Sequence, residues 1–386
     1  MIRRPDHRTQ LLDRAAAPGG PLVFTGSTPF IATATRMTVA SEAVDADWAD
    51  DVVRLLRPRE RALLSLAFDV DGPAVAHLVT PTPVHDDPPP RRTPEPVRHH
   101  VTAVPTEARY ADQVRLALGR IAAGDLHKVV LGRCLDVVSS PPMTPDDVVS
   151  RLLASRPGRF VFGLPVSAHR HGAWLVGASP ELLVRRTGHL VANTPLAGSI
   201  PRSPDPTEDR RRAAALQEST KDRAEHAYVV QAILASLRTV CTDVEAAPEP
   251  HLTSTDTLWH LATPIRGRLR DPGRTSALHL ARLLHPTPAV GGVPTPAALG
   301  AIAELEGDLR GPLAGAVGWV DADGDGELAV AIRAGVLMGE RLRLFAGAGI
   351  VAGSDPDSEV RENGAKLATM ARAVGLSDAP TAAATS

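Results

Sequence analysis

The 386-residue sequence has only two cysteines, 3% aromatic residues and a formal net charge of −2. Cys134 and Cys241 lack the spacing of a metal site, so we expect reduced thiols, and any zinc site would need other ligands. The small net charge offers no electrostatic basis for binding nucleic acid or an anionic membrane. Because no run of about 18 apolar residues is present and the N-terminus lacks an apolar signal segment, the sequence predicts a soluble cytoplasmic protein.

Hydrophobic residues make up 43% of the chain, which is enough for a sizeable core. Residues 21–77 read as short strands separated by Gly, Pro and Asp. Residues 81–100 are polar and dense in proline, so they cannot form a helix or a central strand, and a surface loop is favoured over a domain linker. We predict a single domain over residues 1–376 and a disordered tail over residues 377–386.

The segment DADGDGE, Asp321 to Glu327, begins like a calcium-binding EF-hand loop. Its twelfth position is Ile332 instead of glutamate, and apolar strands flank it where an EF-hand has helices. A hairpin turn is therefore the favoured interpretation, as it is for Asp71-Gly72.

Residues 106–124 have the pattern of a helix, and an apolar strand follows at once, with Lys128 at its start. A lysine at a strand end usually extends to water. If Lys128 instead points into a closed pocket, burial lowers its pKa and makes it a usable base near neutral pH. The strand by itself leaves both interpretations open.

Residues 174–202 read as a meander of strands, with the corner GASP immediately before Glu181. A carboxyl group between a tight corner and an apolar strand is expected to be partly buried. Burial raises the pKa of a carboxyl group, so Glu181 is a candidate general acid. A corner residue that only accepts backbone hydrogen bonds is an equally good local explanation.

A long helix is predicted from Thr207, with an interruption near residues 218–220. Asp222 and Glu225 are i, i+3 neighbours on it and share one helix face. Glu359 and Glu362 form a second such pair further along the chain, and two pairs suggest a cation site between two helices. Because all of its ligands would be oxygens, magnesium is the best candidate.

The stretch before Glu359 and Glu362 reads as an apolar strand. Gly347 and Gly349 in this stretch allow close approach of the backbone to an anion. The next helix carries Glu359, Glu362 and Lys366 at i, i+3 and i+7. By itself this pattern is more often a solvated charged face. The alternative is a helix that lines a site for a hard cation and an anionic ligand.

Eight sequence blocks occur in the order found in one enzyme family: HKVVLGR (127–133), GASPELL (177–183), PLAGSIPR (195–202), KDRAEH (221–226), LWHLATPIRG (258–267), LHPTPAVGGVP (284–294), GAVGWVDADGDGELAVAIRAG (315–335) and LFAGAGIVAGSDPDSEVRENGAKLATM (344–370). The chain resembles the chorismate-utilising enzymes, which include isochorismate, anthranilate, aminodeoxychorismate and salicylate synthases. The resemblance covers residues 106–374, whereas residues 1–100 match only in general character. It implies an α+β fold of large antiparallel sheets packed as a sandwich with helices on the outside.

Within the family, HPTPAVGG at residues 285–292 resembles isochorismate synthases, especially those that feed siderophore pathways. The chain has no class I amidotransferase signature, so no amidotransferase subunit is expected, and we expect a monomer. The resemblance therefore implies reversible isomerisation of chorismate to isochorismate. Salicylate synthase, which adds a pyruvate elimination, is the alternative, and a non-catalytic family scaffold is the third hypothesis.

The resemblance also implies the roles of single residues. Lys128 matches the base that activates water, Glu181 the general acid and His260 the active-site histidine. Magnesium ligands are implied at Glu225 and Glu362, with Asp222 and Glu359 nearby. Arg333, on the strand ELAVAIRAG, would bind a carboxylate of the substrate. The other residues expected to bind the substrate are Gly198, Ser199, Thr287, Ala289, Gly347, Gly349 and Lys366.

Two positions depart from the family pattern. Leu313 stands where an aromatic residue is usual, which is expected to loosen substrate packing or to slow turnover. Asn363 stands where threonine is customary, which is expected to alter one hydrogen bond behind the site. Neither departure removes a proposed catalytic group.

Overall fold

The computed structural model describes residues 9–13, 20–42, 45–83, 98–155, 159–166 and 172–376. Strands and helices are numbered separately, each in chain order. The described helices are α1 (Ala46–Leu55), α2 (Glu107–Ala122), α3 (Pro145–Ser155), α4 (Pro206–Glu218), α5 (Thr220–Val240), α6 (Ala277–Leu284), α7 (Thr295–Glu306) and α8 (Pro356–Ala373). None of the described helices has the length and apolar character needed to span a bilayer.

Every pairing between the described strands is antiparallel, and the strands form three sheets. In spatial order the first sheet contains β1 (Thr9–Asp13), β4 (Met37–Ser41), β6 (Ala74–Val79), β5 (Arg61–Leu66), β20 (Ala316–Asp321), β21 (Gly326–Val330), β12 (Leu182–Thr187), β13 (Leu190–Thr194), β18 (Ile265–Leu269) and β15 (Cys241–Ala246). The second sheet contains β19 (Gly292–Val293), β9 (Lys128–Ser140), β23 (Arg341–Val351), β22 (Ala334–Met338), β11 (Ala173–Ser179), β10 (Phe160–Pro165), β2 (Leu22–Phe24), β3 (Phe30–Ala32) and β7 (Thr82–Pro83), with β8 (Arg98–Val104) paired to β9. The third and smallest sheet contains β14 (Leu196–Pro201), β17 (Leu258–Ala262) and β16 (His251–Ser254).

The two large sheets bury their facing sides against each other. One apolar cluster joins Leu63 and Val317 of the first sheet to Leu131 and Phe162 of the second. A second cluster lies on the other face of the second sheet, where α3 and α8 cover it. Because both of its faces are covered, this sheet has nearly continuous apolar strands in place of a polar alternation. The predicted α+β sandwich with outer helices is confirmed.

Several local predictions are confirmed by the elements. α2 begins after Thr106, whose side chain accepts a hydrogen bond from the Arg109 N–H. The predicted interruption is Ser219, which ends α4 and caps α5. Both predicted hairpins form, between β5 and β6 and between β20 and β21, so the EF-hand alternative is wrong.

The predicted meander over residues 174–202 is wrong. β11 belongs to the second sheet, β12 and β13 to the first, and β14 to the third. The chain leaves one sheet and enters another at the corner of Pro180 and Glu181, since these two residues lie between β11 and β12. The corner therefore places Glu181 between the two large sheets. On a strand within one sheet, Glu181 would instead have lain on a sheet face.

The N-terminal part differs from the prediction in two ways. Residues 21–77 include the helix α1, which the strand assignment did not contain. The predicted loop over residues 81–100 is paired at both ends, because Thr82–Pro83 and Arg98–Val104 are strands. Residues 84–97 and the predicted tail over residues 377–386 lie outside the described residues. The single-domain assignment stays a prediction.

Candidate active site

A cavity that is partly open to solvent lies where β14, β17 and β23 meet the Pro180 corner and the loop after α6. Eleven of the predicted site residues line it: Glu181, Gly198, Ser199, Glu225, His260, Ala289, Arg333, Gly347, Gly349, Glu362 and Lys366. The other four predicted residues, Lys128, Asp222, Thr287 and Glu359, are not among its lining residues. Tertiary structure thus gathers side chains that are up to 185 positions apart in the sequence, from Glu181 to Lys366.

Lys128 is completely buried at the start of β9, so the interpretation that it extends to water is wrong. Its Nζ lies 3.0 Å from Glu225 Oε1, yet no described acceptor gives it a well-oriented hydrogen bond. Gly349 makes this contact possible, because a Cβ there would collide with Glu225 Oε1 and come within 3.2 Å of Lys128 Cε. A buried ammonium with incomplete hydrogen bonding is costly, which is typical of a group retained for function.

Glu181 is buried in the corner between β11 and β12. Burial raises the pKa of its carboxyl group to about 7, although the Leu196 N–H donates to Oε1 over 3.4 Å and Lys128 also lowers the value. The carboxyl group can therefore hold a proton near neutral pH and give it up. Of the two local explanations, the structure favours the candidate acid over a group that is only a hydrogen-bond acceptor.

The carboxylates of α8 are bound by lysines. Glu359 Oε1 lies 2.8 Å from Lys221 Nζ, and Glu362 Oε1 lies 2.7 Å from Lys366 Nζ. The Ser199 hydroxyl donates to Glu362 over 2.8 Å. Burial and the neighbouring Glu362 raise the pKa of Glu359, whereas Lys366 and Ser199 outweigh the burial of Glu362 and lower its pKa. This face of α8 is therefore ion-paired, with Glu359 buried and Glu362 and Lys366 half-buried, so the solvated-face interpretation is wrong.

The carboxylates of α5 face the same region. Burial raises the pKa of Asp222, and Glu225 and Glu362 raise it further, while a short hydrogen bond from Ser219 opposes the shift. Within the described ranges, no three acidic, histidine or cysteine side chains converge closely enough to form a metal centre as they are placed. The donors nevertheless suit a hard cation, because all are oxygens and Glu359 Oε2 is buried with no hydrogen-bond partner in the described structure.

Arg333 lies between β21 and β22, and not on a strand as predicted. Its backbone has φ 50°, in the left-handed region that few residues other than glycine adopt. Burial lowers the pKa of its guanidinium to about 10, so it stays charged at neutral pH. No carboxylate of the described chain forms an ion pair with it, which leaves the planar fork available to a ligand carboxylate.

His260 lies on β17 directly opposite Ser199 of β14. Burial, followed by Arg333 and Lys366, lowers its pKa to about 3, so the imidazole is neutral at physiological pH. Its Nε2 is buried and has no hydrogen-bond partner among the described groups. A neutral ring with an unpartnered nitrogen at a cavity wall can exchange a hydrogen bond with a ligand hydroxyl or water.

The cavity therefore combines a buried lysine, a carboxyl group with a pKa near neutrality, a free guanidinium and carboxylates on two helices. A family model described as "Chorismate binding enzyme" matches residues 79–375. The chain belongs to the chorismate-binding enzymes.

Relatives with assigned names resemble this chorismate-binding enzyme over most of its length. Isochorismate synthase DhbC of Bacillus subtilis is 47% identical over 281 residues, which are 72% of this chain and 70% of that protein. The putative isochorismate synthase MenF of Mycobacterium tuberculosis is 41% identical over 367 residues, 90% of this chain and 96% of that protein. A crystal structure of a putative 2,3-dihydroxybenzoate-specific isochorismate synthase, DhbC of Bacillus anthracis, matches with a TM-score of 0.84 at 36% identity, over 92% of this chain and 96% of that one.

Two expectations about the cavity wall of this chorismate-binding enzyme need correction. Thr287 does not line the cavity; its hydroxyl accepts the Ala289 N–H over 3.3 Å, so it shapes the loop from behind. Leu313 is buried but does not line the cavity either, and its neighbour Ala314 does. A smaller side chain at position 313 therefore does not directly loosen substrate packing. As expected, Asn363 acts from behind the wall, where its Nδ2 donates to the Ala346 carbonyl over 2.8 Å.

Sequence reasoning missed part of the apolar wall. Val130, Ile332 and Phe345 line the cavity, and the Phe345 ring occupies the space above Gly132 where a Cβ would stand. Val130 could have been found, because alternate residues of a strand share a face and Val130 lies two positions after Lys128. Phe345 gave no such signal, since its contact with Gly132 depends on the pairing of β9 with β23.

Proposed function

We propose that this chain is an isochorismate synthase that reversibly converts chorismate to isochorismate. Water is added at C2 of the ring and the C4 hydroxyl is lost. The observation that carries the proposal is a buried lysine beside a cavity that also contains a carboxyl group with a pKa of about 7. The reaction needs such a pair, a base for the incoming water and an acid for the leaving hydroxyl. The named relatives support the same reaction.

In this proposal Lys128 acts in its neutral amine form and takes a proton from the attacking water, while Glu181 gives a proton to the departing hydroxyl. Each such transfer typically contributes ~10²–10⁴ in rate. Glu181 holds its proton at neutral pH because burial raises its pKa. The neutral imidazole of His260 orients a substrate hydroxyl through its free Nε2.

Chorismate is a dicarboxylate, and the cavity has two cationic groups that suit it. Arg333 binds one carboxylate through its guanidinium fork. Lys366 is held at the wall, where its Nζ donates to the Gly347 carbonyl over 2.9 Å. Ser199 and the exposed backbone at Gly198, Gly347 and Gly349 complete the anion pocket, and Ala289 supplies an apolar contact.

We propose magnesium as the cofactor, with Glu225 and Glu362 as its main ligands and Asp222 and Glu359 nearby. When bound, the ion holds the ring carboxylate and withdraws charge from it. The carboxylates would then exchange lysine partners for the metal. The unpartnered Glu359 Oε2 and the all-oxygen donor set support this assignment.

The setting of the enzyme is also part of the proposal. The loop sequence HPTPAVGG supports a product that feeds siderophore or related secondary metabolism. Two buried free cysteines, Cys134 and Cys241, support a cytoplasmic location. We propose a monomer that works without an amidotransferase subunit.

Salicylate synthase is less well supported. Eliminating pyruvate requires isochorismate to be retained, and retention requires polar groups that hold the rearranged ring. Ala289 and Val290 make their part of the cavity wall small and apolar. We therefore expect release of isochorismate. A non-catalytic scaffold is not favoured either, because Lys128, Glu181 and the carboxylates are all present.

The proposal is tested by incubating the protein with chorismate and Mg²⁺ and following products by chromatography over many turnovers, without an added lyase. Isochorismate approaching a fixed ratio with chorismate is the expected result. Salicylate and pyruvate appearing in step with chorismate loss from the first turnover would favour the salicylate synthase hypothesis. No turnover, with a folded protein, would favour the scaffold. Glu181→Gln is the control for a contaminating enzyme.

A further inference from the structure

The edge of β9 that faces away from β23 has an opening in its middle. β23 pairs with residues 128–138 of β9 on one side. On the other side β19 pairs with Lys128 and Val129, and β8 pairs with Cys134 to Ser140. No described strand pairs with residues 130–133 along that edge. Buried backbone groups need hydrogen-bond partners, so something else must satisfy this segment.

One backbone carbonyl and two side chains close the opening. The Gly291 carbonyl accepts the Val130 N–H over 2.7 Å. Arg310 Nη2 donates to the Val130 carbonyl over 2.7 Å, and Glu306 Oε1 accepts the Gly132 N–H over 2.7 Å. Arg310 Nη1 also donates to the Val290 carbonyl over 2.7 Å, in the loop that faces this part of β9. Glu306 and Arg310 thus satisfy the Val130 carbonyl and the Gly132 N–H, which a short strand between β19 and β8 would otherwise have bonded.

The two side chains form a bidentate ion pair, with Arg310 Nε 2.7 Å from Glu306 Oε2 and Nη2 2.7 Å from Oε1. Both are sealed from water, at 3% and 1% side-chain exposure. The guanidinium carbon lies 4.1 Å from the Phe68 ring centre and 5.4 Å from that of Phe345. A buried ion pair is tolerated when further hydrogen bonds satisfy it, as they do here, and its planar fork admits few alternative geometries.

Three of the residues that this ion pair contacts line the cavity. Val130, Val290 and Phe345 all line it, whereas Glu306 and Arg310 do not. Val130 lies two residues after Lys128, so both side chains project from the same face of β9. Arg310 therefore adds a second connection, beside the Val130–Gly291 backbone hydrogen bond, between the strand that carries Lys128 and the loop that forms the facing apolar wall.

We propose that Glu306 and Arg310 are positioning residues for the reaction. They set the distance between Lys128 on β9 and the wall at Val290, and so determine where the substrate ring lies relative to the base. This inference rests on the proposed function. Misplacing a reacting group by about 1 Å can cost ~10²-fold in rate, so a change here affects turnover without touching the substrate.

The first test is Arg310→Lys. Lysine keeps the charge but has one nitrogen, which cannot serve both oxygens of Glu306 and two carbonyls at once. We expect kcat to fall by about 10²-fold with little change in KM, because the loss concerns the alignment of the reacting groups. Glu306→Gln keeps an acceptor for Gly132 and is expected to show the same split with a smaller loss.

Arg186→Lys is the matched control. Arg186 is another buried arginine that donates over 2.9 Å to three carbonyls, those of Gly188, Pro272 and Asp323. None of these three residues lines the cavity. Its replacement is expected to lower Tm and to leave kcat unchanged. All variants are compared at a temperature at which circular dichroism shows each to be folded.

The outcomes are separable. A kcat loss for Arg310→Lys that equals that of Arg186→Lys, or a rise in KM alone, overturns the proposal. If Arg310→Lys does not fold, the kcat and KM of Glu306→Gln decide between the same two results. If the wild-type protein does not convert chorismate, the proposed function has failed. Hydrogen exchange of residues 128–133 then decides whether Glu306 and Arg310 hold this part of β9. Faster exchange in Glu306→Gln than in wild type supports that role, and equal exchange overturns it.

Discussion

Two buried ion pairs lie along β9, and they differ in how completely their hydrogen bonds are made. Glu306 and Arg310 bind each other through two contacts and also bind the backbone of Val130, Gly132 and Val290. The ammonium of Lys128, only two residues before Val130, has one carboxylate at 3.0 Å and no well-oriented hydrogen bond in the described structure.

The difference in hydrogen bonding distinguishes a structural ion pair, Glu306 with Arg310, from a reactive one, Lys128 with Glu225. A fully bonded pair has one stable arrangement, so it suits a structural connection. A charged group with incomplete bonding can change partners when a ligand or proton arrives. Among the buried side-chain atoms without a partner in the described chain, Lys128 Nζ and Glu359 Oε2 are the ones from acidic or basic side chains other than histidine. Lys128 Nζ lies 3.0 Å from Glu225, which lines the cavity, and Glu359 is one helical turn before Glu362, which also lines it.

Replacing Lys128 with methionine should have the largest effect on kcat of the changes considered for the two ion pairs. We expect kcat to fall by ~10²–10⁴-fold, because the base that activates water is lost. Tm should fall less than in Arg310→Met, for which breaking a sealed pair is expected to cost about 3–5 kcal/mol. Glu225 borders the cavity and can be hydrated, whereas Glu306 cannot. Steady-state kinetics and thermal melts measure both effects, and an unchanged kcat in Lys128→Met would remove Lys128 from the mechanism.

Metal binding offers a second test, which does not depend on turnover. If the α5 and α8 carboxylates bind Mg²⁺, the ion should stabilise the wild-type protein by about 2.7 kcal/mol at one hundred times its Kd. Glu362→Gln should lose most of this stabilisation. Glu304→Gln serves as the control, because Glu304 is an exposed carboxylate on α7 and should leave the response intact. A wild-type Tm that does not respond to Mg²⁺ would count against the assigned cofactor.

The pH dependence of kcat tests Glu181. A general acid must be protonated to act, and burial raises the pKa of Glu181 to about 7. On the alkaline side the rate should therefore fall, by about tenfold per pH unit well above pH 7. In Glu181→Gln the residual rate should lose this alkaline limb, since the side chain no longer titrates. A limb that persists in the variant belongs to another group.

Some features of this protein follow from local spacing. A Thr106 cap predicts the start of α2, and Asp222 with Glu225 or Glu359 with Glu362 share a helix face because 3.6 residues form one turn. The ordered motifs indicated the family and most residues that line the cavity. These inferences held because caps and helix faces depend on residues within a few positions of one another.

Tertiary structure decided the rest. Lys128 could have extended to water, and its complete burial depends on β19, β23 and α5. Glu181 could have stood on a sheet face, and it lies at a crossing between sheets because β11 and β12 pair with different neighbours. Arg310 reaches Val130 across 180 positions of sequence. Neighbouring residues cannot reveal such contacts, because burial, partner and pKa depend on which distant segments the fold packs against each side chain.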